Sequence, residues 1–329
     1  MNFGKFNKII IFGGGENANY FASICKEKKI EVISIVHPRH YNQVLENKKK
    51  FSSSISKYSK IHKVSTLNIK KLKKIIPNPS NNFYISFDSP WIFNNELINN
   101  FFKKRIVNSH STRLPKDRGG GGFSWRILNN DKFGVCLIHL INDSGIDKGD
   151  VLFFDEFIFP NKAIVPKDYY HYQFEREKEF LKKFLTKLIN HENFDVNGQP
   201  KYLSTYLPRL STEINGYINW DLNINYLSRF INAFDEPYQG ASTFLNNQKV
   251  FIKKTMPTGE SNNHPFLNGI IIRKTDQWIV VSCDGGCLIV EKVLNAKKEN
   301  ILKNVKVGDR FITPSNEIDK ARRRFKINN

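Results

Sequence analysis

The sequence predicts an α/β domain with a mainly parallel sheet, followed by a smaller all-β domain that forms a barrel or a sandwich. Apolar runs of strand length alternate with helix-like stretches through the first part of the chain, and the first unit reads strand, glycine turn, helix, strand. That order predicts parallel neighbouring strands joined by a right-handed crossover. Short apolar segments separated by polar or glycine-containing turns predict the second domain.

The first unit contains a strand at residues 8–12, a turn at 13–15, a helix at 19–29 and a second strand at 30–36. Four further strands are predicted, at residues 82–87, 105–107, 134–141 and 151–157. A helix is predicted at 93–104, and a long amphipathic helix at 172–190 closes the domain. The apolar stripe of that last helix consists of Phe174, Phe180, Leu181, Phe184 and Leu188.

A length of 329 residues is typical of two domains. We place the first domain at residues 1–190 and a linker at 191–208, where the chain becomes polar and is interrupted by glycine and proline. The second domain is residues 209–329. It begins with a helix at about 223–233, and four short strands are predicted at 250–254, 269–273, 278–283 and 287–293.

The composition favours a cytosolic protein. Apolar residues make up 40% of the chain, which is enough for a sizeable core, and no run of about 18 apolar residues predicts a membrane span. The first residues lack the apolar segment of a secretory signal. The four cysteines (Cys25, Cys136, Cys283 and Cys287) form no CxxC pair. They predict a reduced protein without a metal site.

The formal charge of +20, from 51 basic and 31 acidic residues, has two interpretations. A basic field attracts nucleic acid or another polyanion. The chain is also rich in Lys, Asn, Ile and Phe, as AT-biased coding would produce, and its lysine runs are typical of solvated helix faces. The charge alone leaves both interpretations open.

The turn Gly13–Gly15 resembles a phosphate-binding loop at a helix N-terminus. A dinucleotide site needs a third glycine, where this chain has Ala18, and an acidic residue after the second strand, where it has residues 37–40, His-Pro-Arg-His. A nicotinamide cofactor is therefore not expected. A tight turn for close packing and a loop near a substrate's phosphates or sugar both remain open.

Three polar side chains on loops after predicted strands suit acyl transfer to an amine. Asn108 can donate to a tetrahedral oxyanion, His110 can move the proton, and Asp147 can orient His110 and balance its charge. Asn108 and His110 are two residues apart, so their side chains lie on the same side of an extended segment. Asp150 competes with Asp147 for the carboxylate role.

These residues belong to motifs that resemble the folate-dependent formyltransferases. Residues 108–119 resemble the Asn-x-His motif with its following Leu-Pro and Arg-Gly, and residues 145–150 resemble the Asp-x-Gly-Asp loop. Residues 206–210, 216–220 and 233–241 resemble the C-terminal domain of methionyl-tRNA and sugar-nucleotide formyltransferases. The resemblance covers residues 8–311, with the sugar branch as the nearer one.

The resemblance implies a Rossmann-like catalytic domain, an OB-like C-terminal domain and 10-formyltetrahydrofolate as the donor. It also implies that Asn108, His110 and Asp147 are catalytic. Donor contacts are expected from two loops and from the position after Arg-Gly, where some members have an arginine and this chain has glycine. The expected contact residues are Trp91, Ile92, Phe93, Gly120, Asp143, Ser144, Gly145, Ile146 and Asp147.

The acceptor has two candidates. Trp125 after the glycine run and Tyr238 after Pro237 resemble the sugar branch, which implies a nucleotide-linked amino sugar and a place in lipopolysaccharide or O-antigen synthesis. The charge of +20 favours methionyl-tRNA. Hydrolysis of the donor and a non-catalytic OB-like binding protein are further alternatives. A homodimer is suggested by the family alone.

Overall fold

The computed structural model describes residues 1–51, 59–120, 122–142, 145–259 and 263–323. The chain divides into two compact units. The first comprises Met1–Gly119, Phe133–Phe157 and Tyr172–Tyr206. The second comprises Gly120–Lys132, Ile158–His171 and Leu207–Asn329. Each unit is therefore assembled from separate stretches of the chain.

A seven-stranded sheet forms the centre of the first unit. Its strands are β1 Lys8–Gly13, β2 Glu31–Val36, β3 Ser59–Lys63, β4 Asn82–Phe87, β5 Ile106–His110, β6 Phe133–Leu140 and β7 Val151–Ile158. Their order is β3-β2-β1-β4-β5-β6-β7, and the five strands from β3 to β5 pair in parallel. Strand β6 pairs with β5 in the antiparallel sense. The predicted mainly parallel sheet is confirmed, with the added strand β3, whose polar sequence gave no strand signal.

The helices of the first unit differ from the prediction mainly at their ends. Helix α1 is Glu16–Glu27, α2 is Pro38–Phe51 and α3 is Ile69–Ile75. The helix predicted at 93–104 is shorter in the structure, where residues 95–101 are helical and Leu97–Phe101 form a π-helix. The Asn94 side chain accepts a hydrogen bond from Leu97 N (2.9 Å) at its start, and Lys103 and Lys104 have left-handed φ values of 52° and 58° at its end.

The long helix α5, Pro166–Ile189, begins six residues before the predicted start at residue 172. The added turn has its own N-terminal signals, which are Pro166 at the first helical position and an acidic side chain in the first turn. Asp168 Oδ2 accepts hydrogen bonds from Ile164 N (3.0 Å) and Val165 N (3.1 Å), two backbone donors at the start of the helix.

Both faces of the sheet are buried. Residues such as Ile9, Ile11 and Phe83 pack in one cluster with side chains of α1 and α5, including Phe21 and Phe184. The alternate residues of the same strands, with side chains of α3 and the π-helix, form a second cluster on the opposite face. Burial on both faces explains why these strands read as continuous apolar runs.

The second unit contains helices α4 Gly122–Leu128, α6 Thr212–Asn215, α7 Ile224–Ala233 and α8 Ser315–Arg323. Its strands are β8 Ala241–Leu245, β9 Gln248–Thr258, β10 Ile271–Lys274, β11 Ile279–Cys283, β12 Gly286–Leu294 and β13 Phe311–Ile312. They form one sheet in the order β10-β11-β12-β9-β8-β13, and every neighbouring pair is antiparallel.

This sheet closes on itself. Ile271 N donates to Asp309 O (2.8 Å) and Phe311 N donates to Gly269 O (2.9 Å), so the flanks of the first and last strands are joined. Closure removes the free edges and makes the sheet a small barrel. The predicted fold class, a mainly parallel α/β sheet with a small barrel, is confirmed.

All four cysteines are free thiols. Cys25 lies in α1 and the other three lie in strands, as the sequence predicts. Among the helices that the structure describes, none combines the length and apolar character needed to cross a membrane.

The glycine turn after β1 permits a close approach between strands. Gly13 has φ 108°, and a Cβ atom there would lie 1.8 Å from Phe87 O. We expect Gly13→Ala to lower the free energy of unfolding by at least about 2 kcal/mol, because neither the contact nor the conformation tolerates a side chain.

Urea unfolding of Gly13→Ala beside Gly4→Ala checks this expectation. Gly4 also has a positive φ (61°), but nothing lies within 4 Å of its Cβ position. Its substitution should therefore cost only about 1 kcal/mol. Equal losses in the two variants would contradict a packing role for Gly13.

Candidate active site

The candidate site lies where β5 ends. Asn108 and His110 alternate with Ser109 along β5, so their side chains share one side of the strand. In the antiparallel pairing of β5 with β6, Asn108 lies directly opposite His139. His139 therefore joins the two predicted residues on the same side of the sheet, and Asp147 approaches both histidines from the loop after β6.

The buried His139 ring fixes the orientation of the Asn108 amide. His139 Nδ1 lies 2.8 Å from Leu140 O, an atom that can only accept, so Nδ1 carries the proton. Burial, followed by the charge of His110, lowers the pKa of His139, so the ring is neutral and its Nε2 is an acceptor. Asn108 Nδ2 lies 3.2 Å from that Nε2 and donates to it. The second N–H of the same amide is left for another acceptor.

The protonation of His110 follows from its neighbour Thr112. The Thr112 hydroxyl donates its proton to Asp117 O (2.9 Å), and its oxygen lies 2.5 Å from His110 Nε2. A hydroxyl has one proton, so Nε2 must be the donor in this contact. In the neutral ring the lone pair is then on Nδ1, which makes Nδ1 the atom that can accept a proton.

Asp147 is placed against both rings. Its carboxylate lies 3.9 Å from His110 Nε2 and 3.6 Å from His139 Nε2, and its Oδ2 accepts a hydrogen bond from Gly119 N (3.0 Å). Asp150 has no such position in the described structure; its carbonyl accepts from Leu140 N in the sheet. Of the two candidate carboxylates, the structure brings Asp147 to the histidines.

Donor atoms of His110, His139 and Asp147 lie within 4.8 Å of one another, a set that a transition metal could use by residue type. The Nε2 atoms that face the carboxylate are already engaged, since one accepts from Asn108 and the other donates to Thr112. The hydrogen bonds thus use the atoms that an ion would need, and the arrangement suits proton transfer.

Glu177 of α5 is a fully buried carboxyl group beneath the end of β5. Its Oε1 accepts hydrogen bonds from Ser111 Oγ (3.2 Å) and from Gln173 Nε2 (3.0 Å). Burial raises the pKa of Glu177 to about 7, although these hydrogen bonds lower it. Ser111, which follows His110 in the sequence, is therefore hydrogen-bonded to a carboxyl group that is partly protonated near neutral pH.

The residues expected to contact the donor differ in exposure. Ile92 is 64% exposed and Ile146 is 42% exposed, so both can contact a ligand. Phe93 is buried, and its ring packs edge-on against Phe12 and Phe102, so only its backbone is available. Trp91 is partly buried, and its Nε1 donates to Ser65 O (3.0 Å).

The remaining expected contacts lie in loops. Gly145 precedes Asp147 in its turn with φ 121°. Gly120 falls in the second unit, where a Cβ atom would lie 3.1 Å from Arg209 Cβ. Asp143 and Ser144 lie outside the described residues. Arg118 of the Arg-Gly pair donates from a terminal nitrogen to Ile146 O (3.2 Å), which ties the two loops together.

Sequence reasoning missed His139 and Thr112. His139 is a lone histidine in an apolar strand, a pattern more typical of a core residue than of a site. Its importance depends on the β5–β6 register, which the sequence does not reveal. Thr112 follows the Asn-x-His motif, so its nearness to His110 along the chain was an available signal.

The tautomer of His139 can be checked by ¹⁵N NMR of the imidazole groups, with His139→Gln assigning the signals. We expect a neutral ring protonated on Nδ1 that stays neutral as pH falls through 6.5, the ordinary value for histidine, because its pKa is lowered. A ring protonated on Nε2, or one that titrates near 6.5, would contradict the account of Asn108.

The Glu177 carboxyl group makes the free energy of unfolding depend on pH. Its pKa is raised from 4.5 to about 7, so the folded state holds the proton more tightly than the unfolded chain. The stabilisation that this tighter proton binding gives to the folded state is complete below pH 4.5 and is lost as pH rises through 7. We compare the free energy of unfolding of Glu177→Gln with that of wild type. The difference should shift in favour of the variant by about 1–3 kcal/mol from pH 5 to pH 8.

Urea unfolding at the two pH values measures this difference. Glu175→Gln is the matched control, because Glu175 is an exposed residue of the same helix, paired with Lys178. A stability difference between Glu177→Gln and wild type that is the same at both pH values would show that Glu177 is ionised in the folded state throughout.

Comparison with known proteins shows similarity to formyltransferases. Residues 211–305 match the family model "Formyl transferase, C-terminal domain". Methionyl-tRNA formyltransferase of Ruminiclostridium cellulolyticum is 26% identical over 212 residues, which are 63% of this chain and 65% of that protein. The enzyme of the same name from Malacoplasma penetrans is 24% identical across 93% of this chain and 94% of its own. The chain spans 65%, 61% and 58% of the first three curated relatives.

Two solved structures share the fold. One is WlaRD, described as a sugar 3N-formyl transferase in the presence of dTDP and 5-N-formyl-THF, with a TM-score of 0.64, 20% identity, and coverage of 88% of this chain and 98% of that chain. The other is the Helicobacter canadensis N-formyltransferase in complex with folinic acid and dTDP-3-aminofucose, with a TM-score of 0.64, 19% identity, and coverage of 86% and 98%. The C-terminal match and the curated relatives thus make this chain similar to formyltransferases, and the two solved structures show that it shares their fold.

Proposed function

We propose that this protein is an N-formyltransferase that moves a formyl group from 10-formyltetrahydrofolate to the primary amine of a nucleotide-linked amino sugar. The observation that carries the proposal is the grouping of Asn108, His110 and Asp147 in one site. Asn108 contacts His139, and Asp147 lies beside both His139 and His110, so one site contains the amide donor, the imidazole and the carboxylate that this transfer needs.

The proposed reaction assigns one role to each residue. The amine nitrogen attacks the formyl carbon, and the carbonyl becomes an oxyanion that accepts the free N–H of Asn108. His110 Nδ1 takes the proton from the attacking amine and returns it to N10 of the folate as the C–N10 bond breaks. Asp147 lies beside Nε2 and stabilises the imidazolium that exists between these two steps.

The donor is placed between the segment at residues 91–93 and the turn that contains Asp147. The exposed side chains of Ile92 and Ile146 supply apolar contacts, and the backbone of both segments supplies polar ones. Asp143, Ser144 and Gly120 remain proposed contacts from the family resemblance. The names of the two similar solved structures support a folate donor, since each contains a formylated folate.

A sugar acceptor is supported by two observations. The chain covers 98% of each similar sugar N-formyltransferase structure, with TM-scores of 0.64, against 0.50 for a methionyl-tRNA formyltransferase structure. Trp125 and Tyr238 resemble the sugar branch at their two motifs. Trp125 is anchored, because its Nε1 donates to Pro208 O (2.8 Å), and Tyr238 is 40% exposed. A place in surface-glycan synthesis would follow.

Methionyl-tRNA is the second candidate acceptor. The first curated relatives are methionyl-tRNA formyltransferases, and the charge of +20 suits a polyanionic substrate. Free thiols at all four cysteines are compatible with a cytoplasmic enzyme under either candidate.

A competition assay decides between them. The protein and 10-formyltetrahydrofolate are offered initiator methionyl-tRNA and a panel of dTDP-, UDP- and GDP-linked amino sugars, and release of tetrahydrofolate is followed. We expect turnover with one nucleotide sugar only. Turnover with tRNA alone would refute the sugar acceptor, and formate release without any acceptor would indicate a hydrolase.

Asp147→Asn is the control protein for this assay. It should remain folded and lose turnover by about 10²–10⁴-fold, because the imidazolium loses its counter-charge. An unchanged rate in the folded variant would contradict the role of Asp147.

A further inference from the structure

Residues 197–206, which we call the strap, run beside the two loops of the candidate site. At one end, Asn197 and Val151 exchange two backbone hydrogen bonds of 2.9 Å, so the strap is paired with the start of β7. At the other end, Thr205 N donates to Pro115 O (3.2 Å) and Arg118 N donates to Thr205 O (3.1 Å). The sequence had predicted a linker here, but its ends are fastened to the first unit.

Between these ends, the Gln199 side chain contacts the turn that contains Asp147. Its Nε2 donates to Asp147 O (3.0 Å) and to Gly149 O (2.6 Å). The amide nitrogen has two hydrogens, and these two contacts account for both. One side chain therefore bridges the two carbonyls that flank Lys148.

The turn is constrained in a way that needs such support. Asp147 has a left-handed φ of 55°, which is unfavourable for a residue with a side chain. Gly149 lies so close to β6 that a Cβ atom there would be 1.8 Å from Leu140 O. Within the turn, Lys148 N reaches Gly145 O only at 3.4 Å. The two hydrogen bonds from Gln199 therefore support the turn from outside it.

The strap also reaches the carboxylate of Asp147, by way of the Arg-Gly pair. Arg118 Nε donates to Ser204 Oγ (2.6 Å) and Asp117 N donates to Thr205 Oγ1 (2.9 Å). The next residue, Gly119, donates its N–H to Asp147 Oδ2 (3.0 Å). Asp147 is thus held from its carbonyl by Gln199 and from its carboxylate by a loop that the same strap fixes.

We propose that Gln199 is a positioning residue, which holds the backbone of Asp147 so that the carboxylate faces His110 and His139. The inference rests on the proposed function, and Gln199 acts through the turn that contains Asp147. It should therefore affect the rate of formyl transfer and donor binding, and leave acceptor binding nearly unchanged.

Gln199→Met tests the proposal, because methionine has a similar length and no donor. We expect kcat to fall by about 10–100-fold while KM for the acceptor changes by less than about threefold. In an Asp147→Asn background the same substitution should cause no further loss, because the two residues act as one unit. Losses that multiply, or a loss confined to KM, would overturn the proposal.

Lys201→Ala is the matched control, because Lys201 is an exposed residue of the same strap. It should keep the wild-type kcat.

Hydrogen exchange gives a second readout that needs no activity. The peptide containing residues 145–149 should exchange faster in Gln199→Met than in wild type or Lys201→Ala, with the rest of the first unit unchanged. Unchanged exchange in that peptide would refute the role of Gln199, whatever the enzyme transfers. A wild-type protein without folate-dependent transfer would instead refute the proposed function.

Discussion

The antiparallel pairing of β5 with β6 is the constraint on which the candidate site depends. It puts His139 directly opposite Asn108, at a depth where the imidazole is neutral. A neutral ring with its proton fixed on Nδ1 can only accept from the Asn108 amide. A one-residue slip would move His139 to the other face of the sheet and leave both groups without this bond. The orientation of the Asn108 amide, which we propose as the oxyanion donor, is thus a property of strand register.

The carboxylate side of the site is organised differently. Asp147 lies in a turn with an unfavourable backbone conformation, and its position is held by residues from distant parts of the sequence, Gly119 and Gln199. Rigid strands place the amide and the two imidazoles, whereas hydrogen bonds between loops place the acid. This division explains why the turn needs several tethers, since an error of about 1 Å at a reacting group reduces a rate markedly.

The features that could be predicted from the sequence are those that a local pattern of residues determines. The strand at 82–87 matched β4. Asn108, His110 and Asp147 were predicted from motifs that can be read along the chain, and the structure places Asp147 beside His110. His139 and Gln199 could not be found this way, because one depends on register and the other on the return of the chain after α5. Phe93 was expected to contact the donor, but its ring packs in the core. The sequence alone does not separate these two locations for an apolar residue before a helix. The helix predicted at 93–104 is shorter in the structure because Asn94 caps its start and Lys103 and Lys104 adopt left-handed conformations at its end. Apolar periodicity does not predict either feature.

A crystal structure with 5-formyltetrahydrofolate, which does not transfer its formyl group to the amine, would test the central claim most directly. In the proposed mechanism the formyl oxygen lies within hydrogen-bonding distance of Asn108 Nδ2, and His110 Nδ1 faces the space that the acceptor amine must enter. A folate bound away from residues 91–93 and 145–147, or a formyl group that contacts neither Asn108 nor His110, would contradict it.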